Sequence, residues 1–402
     1  MEKTDVVVVG GAGHVGLPFA NVLAAEGLSV IAYDIDHVAV NSINQGVATF
    51  EEPGLNLMLA NNLANQNFSA SIDPNVISGA EYVVIVFGTP VDEFLSANPV
   101  AVINQIKDLV KYFRSGQHLI LRSTIYPGLS RKVQQLMIEE KLDIDVIYCP
   151  ERITEGNAIL EIRTLPQIVG TKSGIEKDIP LGLFKSLGIE FVQVTYEEAE
   201  LAKLFSNAWR YITFATANTF FATAESMDAN FGNIRNAMQY KYPRAQSLPG
   251  PGFAAGPCLP KDTMQLQSLM GGNFGLGAAA YEVNENLPNF LVEKVKEKFN
   301  LSNTNIAILG LSFKGNVDDQ RSSLAHKLRK ILECESKSVR FVEPFLPDYE
   351  QSELNDVVAW ADLLVIGAHH NIFKELNTSK PIIDVWNLFE TGQLYIPGGG
   401  LT

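Results

Sequence analysis

An α/β fold is predicted for this 402-residue chain: two Rossmann-like doubly wound domains joined by a long central helix and a small all-helical domain. Three observations carry that expectation. Short apolar runs ending in Gly or Asp alternate with helical periods through the N-terminal part. The same alternation returns from Asn305 onward. Between them lies a helical stretch from Glu197 to about Met227, dense in Ala, Leu and Phe. The length agrees, since a chain of this size is expected to form two or three domains.

Residues 5–9 read as a buried parallel strand ending at glycine. Gly16 to Glu26 is helical, with Pro18 tolerable only in the first turn. Leu28–Tyr33 is a second strand that ends at Asp34, and Tyr82–Phe87, His118–Leu121 and Asp145–Tyr148 continue the series. Strands and helices in this order imply right-handed crossovers. In the C-terminal part Asn305–Leu309 runs into Gly310, and Val339–Val342 into Glu343-Pro344. Ala361 to His370 echoes the earlier Ala80 to Pro90, and Pro381–Asp384 closes the series. This second half has no Gly-x-Gly-x-x-Gly, and Asn316 follows Gly315 where a Walker A loop needs Lys. The helix between the halves is apolar around much of its circumference. It fits either a dimer core or a helix buried within one protomer.

Hydrophobic residues make up 46% and charged residues 19%, the balance of a globular protein. A net charge of −14 argues against a general binder of nucleic acid or anionic membrane. Three cysteines, Cys149, Cys258 and Cys334, imply neither a disulfide framework nor a zinc site, and no metal is expected. No signal peptide or membrane span is read, so a reducing cytoplasm is the expected compartment.

Gly11-x-Gly13-x-x-Gly16 follows a strand and opens a helix, the place of a dinucleotide fingerprint. Gly11 is read as the tight turn, Gly13 as the approach for a pyrophosphate and Gly16 as the close helix–strand contact. Asp34 is placed to accept from a ribose diol. Asp34 and Asp36 would repel a 2′-phosphate, and no Arg lies between residues 34 and 46, which favours NAD over NADP. Gly88-Thr89-Pro90 and Ser123-Thr124 sit at strand ends, where hydroxyls touch a ligand or cap a helix. Glu151 and Glu155 are read either as a proton-transfer group and a cofactor contact or as solvated loop residues. Cys149 reads as a packed thiol. Lys203 and Asn207 fall one turn apart on one helix face, needing either partners or a solvated edge.

Cys258 lies in Gly250-Pro-Gly-Phe-Ala-Ala-Gly-Pro-Cys258-Leu-Pro-Lys261-Asp262. A lone Cys is commonly a small buried hydrophobe. A Gly/Pro-rich loop ending in Lys-Asp instead points to an exposed thiol nucleophile. With the N-terminal fingerprint it implies a nicotinamide-dependent oxidation through a covalent thiol adduct. Lys314 and Arg321 are candidate anion contacts.

Together these pieces resemble the UDP-glucose/GDP-mannose dehydrogenase family. The matching segments include Gly11–Gly16 (with His14 and Val15) and Asp34, Glu52-Pro-Gly-Leu55, Gly88-Thr-Pro-x-Asp92-Glu93 and Ser123-Thr124-x-x-Pro-Gly128. Pro150-Glu151-Arg152, Lys203-x-x-x-Asn207, the Cys258 loop, Val283-Asn284-Glu-Asn-x-Pro288, Phe313-Lys314, Asp318-Asp-x-Arg321-x-Ser323 and His370 complete them. The resemblance implies an NAD-binding domain over 1–195, a helical dimerisation domain over 196–298 and a nucleotide-sugar domain over 299–402. It implies four-electron oxidation of a sugar C6 alcohol to a uronic acid for polysaccharide precursors, with a Cys258 thiohemiacetal and thioester. Catalytic roles are implied for Cys258, Lys203, Asn207, Asp262, Thr124 and Glu151. Cofactor contacts are implied for Gly11, Gly13, His14, Val15, Gly16, Asp34, Thr89, Ser123, Thr124, Glu155 and Arg321. Substrate contacts are implied for Glu151, Arg152, Lys203, Asn207, Phe253, Cys258, Phe313 and Lys314, and for Arg244 toward a neighbouring subunit. The implied partners are NAD, a UDP-sugar and a second copy of the chain through the central helix.

Two segments depart from the family pattern. Gly252 to Cys258 is one residue longer than the usual Gly-x-Gly-Gly-x-Cys, and Asp384-Val-Trp386-Asn387 stands where many members have Asp-x-Arg-Asn. Pro-Glu-Arg leans toward members acting on N-acetylated hexosamine nucleotides. Two other readings are a two-electron hydroxy-acid-type dehydrogenase, which needs no thiol, and a catalytically silent nucleotide-sugar-binding protein.

Overall fold

The run Val6–Val9 forms the centre of the first sheet. In the structure, a computed structural model that describes residues 4–88, 98–174, 182–346 and 349–399, Val6, Val7 and Val8 are wholly buried. Val6 and Val8 pack with Leu17 and Phe19 on one face, and Val7 and Val9 with Val83 and Leu119 on the other. Alternate side chains of a strand point to opposite faces, so a strand covered on both faces is apolar throughout.

Two compact units divide the chain, Met1–Phe205 and Ser206–Thr402. The first holds β1 (Thr4–Val9), β2 (Val30–Tyr33), β3 (Phe68–Ser71), β4 (Ala80–Ile85), β5 (His118–Leu121), β6 (Asp145–Tyr148), β7 (Gln167–Thr171) and β8 (Phe191–Thr195). They form one eight-stranded sheet in the order β3-β2-β1-β4-β5-β6-β7-β8. All neighbours are parallel except β6 and β7. The order reverses between β1 and β4, which opens a crevice beyond their carboxyl ends. The crossover helix Gly16–Ala25 ends at Gly27 (φ +88°), with Gly27 N–H donating to Ala24 O and Leu28 N–H to Leu23 O. That cap delays β2 until Val30, two residues after the expected start. β4 is likewise shifted from the expected Tyr82–Phe87, and β3, β7 and β8 were not among the strands read from the sequence. β8 is an edge strand whose Phe191 and Val192 are exposed, so its pattern differs from that of a central strand.

The long helix Tyr196–Ser226 matches the expected stretch and ends where Asp228 takes the left-handed conformation (φ +52°). The second unit continues with the helices Phe231–Gln239, Leu259–Leu269 and Gly275–Lys296. It then forms β9 (Asn305–Leu309), β10 (Ser338–Val342), β11 (Leu363–Ile366), β12 (Ile382–Ile383) and β13 (Tyr395–Ile396). These make a five-stranded sheet in the order β10-β9-β11-β12-β13, with only β13 antiparallel. Its reversal lies between β9 and β11, where the loops after Leu309 and Ile366 nearly touch. A Cβ on Gly367 would lie 2.3 Å from Gly310 O, so that approach needs glycine. Among the described residues no helix is long and apolar enough to cross a membrane.

Candidate active site

In the first unit the loop after β1 forms a cradle open to an anion. Gly10, at φ +82°, makes the tight turn that the sequence assigned to Gly11. Gly11 is required instead by Ala32, which would lie 2.7 Å from a Cβ there. Gly16 packs so close to Gly10 O that a Cβ would sit 2.3 Å away. A Cβ on Gly13 would meet only Gly10 O, at 3.7 Å, so space is left on its outer side. No side chain caps the following helix at Val15, and although Leu17 N–H turns back to Gly13 O at 3.0 Å, the start of this helix is where an anion would dock. Asp34, at the tip of β2, accepts from Ala12 N–H at 3.0 Å and Asp36 N–H at 3.2 Å. His14 stacks on Phe50 with ring centroids 4.1 Å apart. These features fit a dinucleotide: room at Gly13, a helix N-terminus without a side-chain cap and an acid at the next strand end. Thr89 lies outside the described residues.

Beyond β5 and β6 the polar groups are organised by a residue that sequence reasoning passed over. Arg122 is buried, its guanidinium 4.2 Å from the Phe19 ring centroid and 5.6 Å from that of Phe184. It donates to Gln167 Oε1 at 2.8 Å and pairs with Glu151. The other Glu151 oxygen accepts from Arg152 N–H at 2.6 Å and Ile153 N–H at 2.9 Å. Burial works against the Glu151 charge, but Arg122 and these N–H donors outweigh it and hold the carboxyl below its ordinary range. Glu151 is thus a paired carboxylate rather than a solvated loop residue. Arg152 donates to Pro166 O. Glu52 ties the same loop down by accepting from Gly156 N–H at 2.7 Å and Ala158 N–H at 2.8 Å, next to Glu155. Cys149 is wholly buried, and burial pushes its thiol up to about 12, as a packed thiol requires. Ser123 donates its hydroxyl to Phe87 O at 2.6 Å. Thr124 is half-buried in the same turn. Glu200 caps the next helix by accepting from Gly128 and Ser130 N–H, and burial raises its pKa.

In the second unit Cys258 is exposed and forms the N-cap of Leu259–Leu269. Unpaired N–H groups at a helix N-terminus favour a thiolate. Asp262 follows one turn later, fully buried, and its N–H donates to Cys258 O at 2.9 Å. Its carboxylate accepts from Asn207 Nδ2 at 2.5 Å and faces Lys261 Nζ at 3.4 Å. Asn207 therefore has a buried partner, as its place on an apolar helix demanded. Lys203, one turn before it on the long helix, is 8% exposed and so is no solvated helix edge.

At the switch point of the second sheet, the loop after β9 carries Phe313 and Lys314. Glu343 accepts from Leu311 N–H at 2.6 Å and Ser312 N–H at 2.9 Å. His370 Nδ1 accepts from Asn316 N–H at 2.9 Å, so its Nε2 carries the proton and faces Glu343 Oε1 at 3.1 Å. Burial opposes the Glu343 charge, but His370 and the two N–H donors keep its pKa below the ordinary value. Arg321 is held by Asp319 in a fork of 2.9 and 2.6 Å. Arg244 is exposed and lies over the Tyr242 ring. Trp386, in place of the commoner arginine, stacks on His369 at 4.3 Å and meets Phe253 edge-on at 5.8 Å. The corner is therefore aromatic, not cationic. Sequence reasoning also gave no part to Asn218. Its signal was a polar residue on the apolar helix, eleven positions and three turns beyond Asn207.

Comparison with known proteins agrees with both halves of this geometry. The UDP-glucose/GDP-mannose dehydrogenase family matches in three parts: its NAD binding domain over residues 5–187, its central domain over 197–286 and its UDP binding domain over 307–391. The chain is 32% identical to a UDP-N-acetyl-D-mannosamine dehydrogenase of Pyrococcus horikoshii, over 92% of this chain and 91% of that protein. A solved UDP-D-ManNAc dehydrogenase of Pyrococcus horikoshii superposes with a TM-score of 0.85 at 29% identity, covering 93% of this chain and 91% of that one. A UDP-glucose dehydrogenase of Pyrobaculum islandicum shares the fold, with a TM-score of 0.86 at 22% identity over 97% and 96% of the two chains. With a dinucleotide cradle, an exposed thiol at a helix N-terminus and a second switch-point loop, matched by the family along nearly its whole length, this chain belongs to the UDP-glucose/GDP-mannose dehydrogenase family.

Proposed function

We propose that the protein oxidises the C6 alcohol of a UDP-N-acetylhexosamine, of the UDP-N-acetylmannosamine type, to the carboxylate. The observation that carries the reading is Cys258: an exposed thiol at a helix N-terminus, with a buried Asp262–Asn207 pair one turn away. The names of relatives such as the UDP-N-acetyl-D-mannosamine dehydrogenase of Pyrococcus horikoshii and the Pro150-Glu151-Arg152 sequence support the sugar.

The Gly10–Gly16 loop, the open N-terminus at Val15 and Asp34 would hold NAD. When bound, NAD⁺ accepts the hydride in each of two successive oxidations. The chain's own groups handle the rest. A base takes the C6 hydroxyl proton as the alcohol becomes the aldehyde. Cys258 thiolate then adds to the aldehyde carbon, and the new alkoxide is stabilised by Lys203 and Asn207. The resulting thiohemiacetal is oxidised to a thioester, which water cleaves to free the carboxylate and return the thiol. Asp262 and Thr124 steer that water and its proton. Glu151, held ionised by Arg122, stands in the site as a carboxylate, and its lowered pKa makes it a weak base. Phe253, Phe313 and Lys314 would contact the nucleotide sugar, Arg152 the sugar side, and Glu155, Ser123 and Arg321 the cofactor side.

Pairing of two copies along the long helix belongs to the same reading. Phe205, Trp209 and Phe220 are exposed on that helix, at spacings that keep them on one side, and Met227, just past its end, is exposed too. Arg244 would then reach the neighbouring subunit's substrate.

The test is acid quench during turnover, followed by mass measurement of the peptide bearing Cys258. A sugar acyl adduct on that peptide is expected. Undiminished turnover by a Cys258→Ala variant would refute the thiol relay and favour a simple two-electron dehydrogenase.

A further inference from the structure

The exposed Cys258 is carried on a loop whose preceding residues, Gly252 to Gly256, are all buried. Gly252 is gripped from two directions. Asn218 on the long helix donates from Nδ2 to Gly252 O at 3.0 Å and accepts from Gly252 N–H at 2.9 Å. One side chain thereby satisfies both backbone groups of a buried residue, in the manner of a strand partner. The Asn218 amide is itself fixed, because Nδ2 also donates to Asn284 Oδ1 at 3.0 Å, and Asn284 Nδ2 donates to Tyr211 O at 3.1 Å. Both asparagines are almost completely buried, at 2% and 0% exposure.

From the other side Trp386 closes the space. A Cβ on Gly252 would lie 2.4 Å from the indole ring, and Gly252 has φ +145°, a conformation that favours glycine. The indole is oriented by its own bond, Nε1 to Gly367 O at 3.2 Å. Four residues on, Gly256 (φ +90°) lies against Phe313 and donates its N–H to Ser322 O at 3.3 Å. The loop is thus pinned at Gly252 and again at Gly256, and Cys258 follows two residues later.

We propose that Asn218 and Trp386 are positioning residues for the Cys258 thiol: the amide and the indole clamp Gly252 and so set where the nucleophilic loop begins. The proposal rests on the reading of Cys258 as the nucleophile. It also gives the tryptophan at the usual arginine position a task, because its ring fills the space beside the lengthened loop. An asparagine at 218 is needed for its paired donor and acceptor. An aspartate there would keep the acceptor for Gly252 N–H but set a carboxylate oxygen against Gly252 O.

The experiment compares Asn218→Asp, Trp386→Ala and Trp386→Phe with the parent protein. Each is checked for the parent's thermal midpoint and far-ultraviolet spectrum. Alkylation by iodoacetamide is followed by peptide mass, with exposed Cys334 as internal reference. NADH formed per limiting UDP-sugar is counted in parallel. In Asn218→Asp and Trp386→Ala the Cys258 to Cys334 alkylation ratio should depart from the parent's. The second oxidation should slow by about tenfold or more, since small misplacements of a reacting group cost that much. NADH per sugar should fall from two toward one as aldehyde escapes. Trp386→Phe, which keeps a ring over Gly252, should stay near the parent. Parent-like alkylation and parent-like NADH yield in both Asn218→Asp and Trp386→Ala would overturn the proposal. A merely structural role would lower the thermal midpoint and leave the ratio and the yield unchanged, which also overturns it. Failure of the underlying reading is separate: it would show as two NADH per sugar from Cys258→Ala, while alkylation of the Asn218 and Trp386 variants still judges the clamp.

Discussion

Replacing Arg122 by methionine keeps an unbranched stem between Phe19 and Phe184 but removes the charge that Glu151 faces. The Arg122 side chain is 3% exposed and that of Glu151 12%, so water cannot take over the pairing. Removing one partner of a buried pair costs about 3–5 kcal/mol. In a domain of this size each kcal/mol moves the midpoint by about 2–4 °C, so a fall of about 10 °C is expected near neutral pH. The sign of the pH dependence is the sharper part. In the parent, the Glu151 pKa lies below its ordinary value. Its contribution is therefore present above the unfolded pKa and is lost only as pH falls through the lowered folded value. Without Arg122, burial dominates and the orphaned carboxyl takes up a proton more easily. The penalty of the variant should therefore shrink at about pH 5 relative to about pH 7.5. Adding Glu151→Gln should recover part of the loss near neutral pH, because the buried charge is gone. Calorimetric scans of parent, single and double variants at both pH values make the comparison. A penalty that is equal at the two pH values, or below about 1 kcal/mol, would refute the reasoning.

The fingerprint glycines should separate by function. Gly16→Ala forces a Cβ against Gly10 O and should destabilise by about 1–3 kcal/mol, read as a lowered thermal midpoint. Gly13→Ala has room and should keep the midpoint while weakening NAD binding, read by titration of intrinsic fluorescence. Cys149→Ala should leave the number of NADH per sugar unchanged, since that thiol is buried and pushed up to about 12. Burial, with His370 and Lys314 nearby, lowers His369 to about 4. Its neutral form is then the one that favours folding. Stability should rise with pH between about 4 and the ordinary imidazole value of 6.5 and then level off, and His369→Gln should flatten that limb in unfolding measurements.

The central strands, the fingerprint and the Cys258 loop were legible because local chemistry marks them. The Val6–Val9 run, Gly13 with open space, and a cysteine between Gly-Pro and Leu-Pro each declare a constraint within a few residues. What was not legible depends on partners far apart in the chain. Arg122 follows a strand, and nothing near it names Glu151, Gln167 or the two phenylalanines that enclose it. The tight turn assigned to Gly11 belongs to Gly10, because adjacent glycines can exchange a positive φ and a close packing contact without changing the motif. Asn218 and Asn284 meet across 66 residues, so only the fold shows that two polar residues in apolar helices satisfy each other. Trp386 was noted as a departure. The space it fills beside Gly252 became visible only with the second sheet in place.

The most direct measurement is the count of NADH released when the purified protein meets excess NAD⁺ and a limiting amount of UDP-N-acetyl-D-mannosamine. Two NADH per sugar, with the uronate as product, is the expected result. One NADH per sugar, or none with this sugar and turnover of another, would contradict the account.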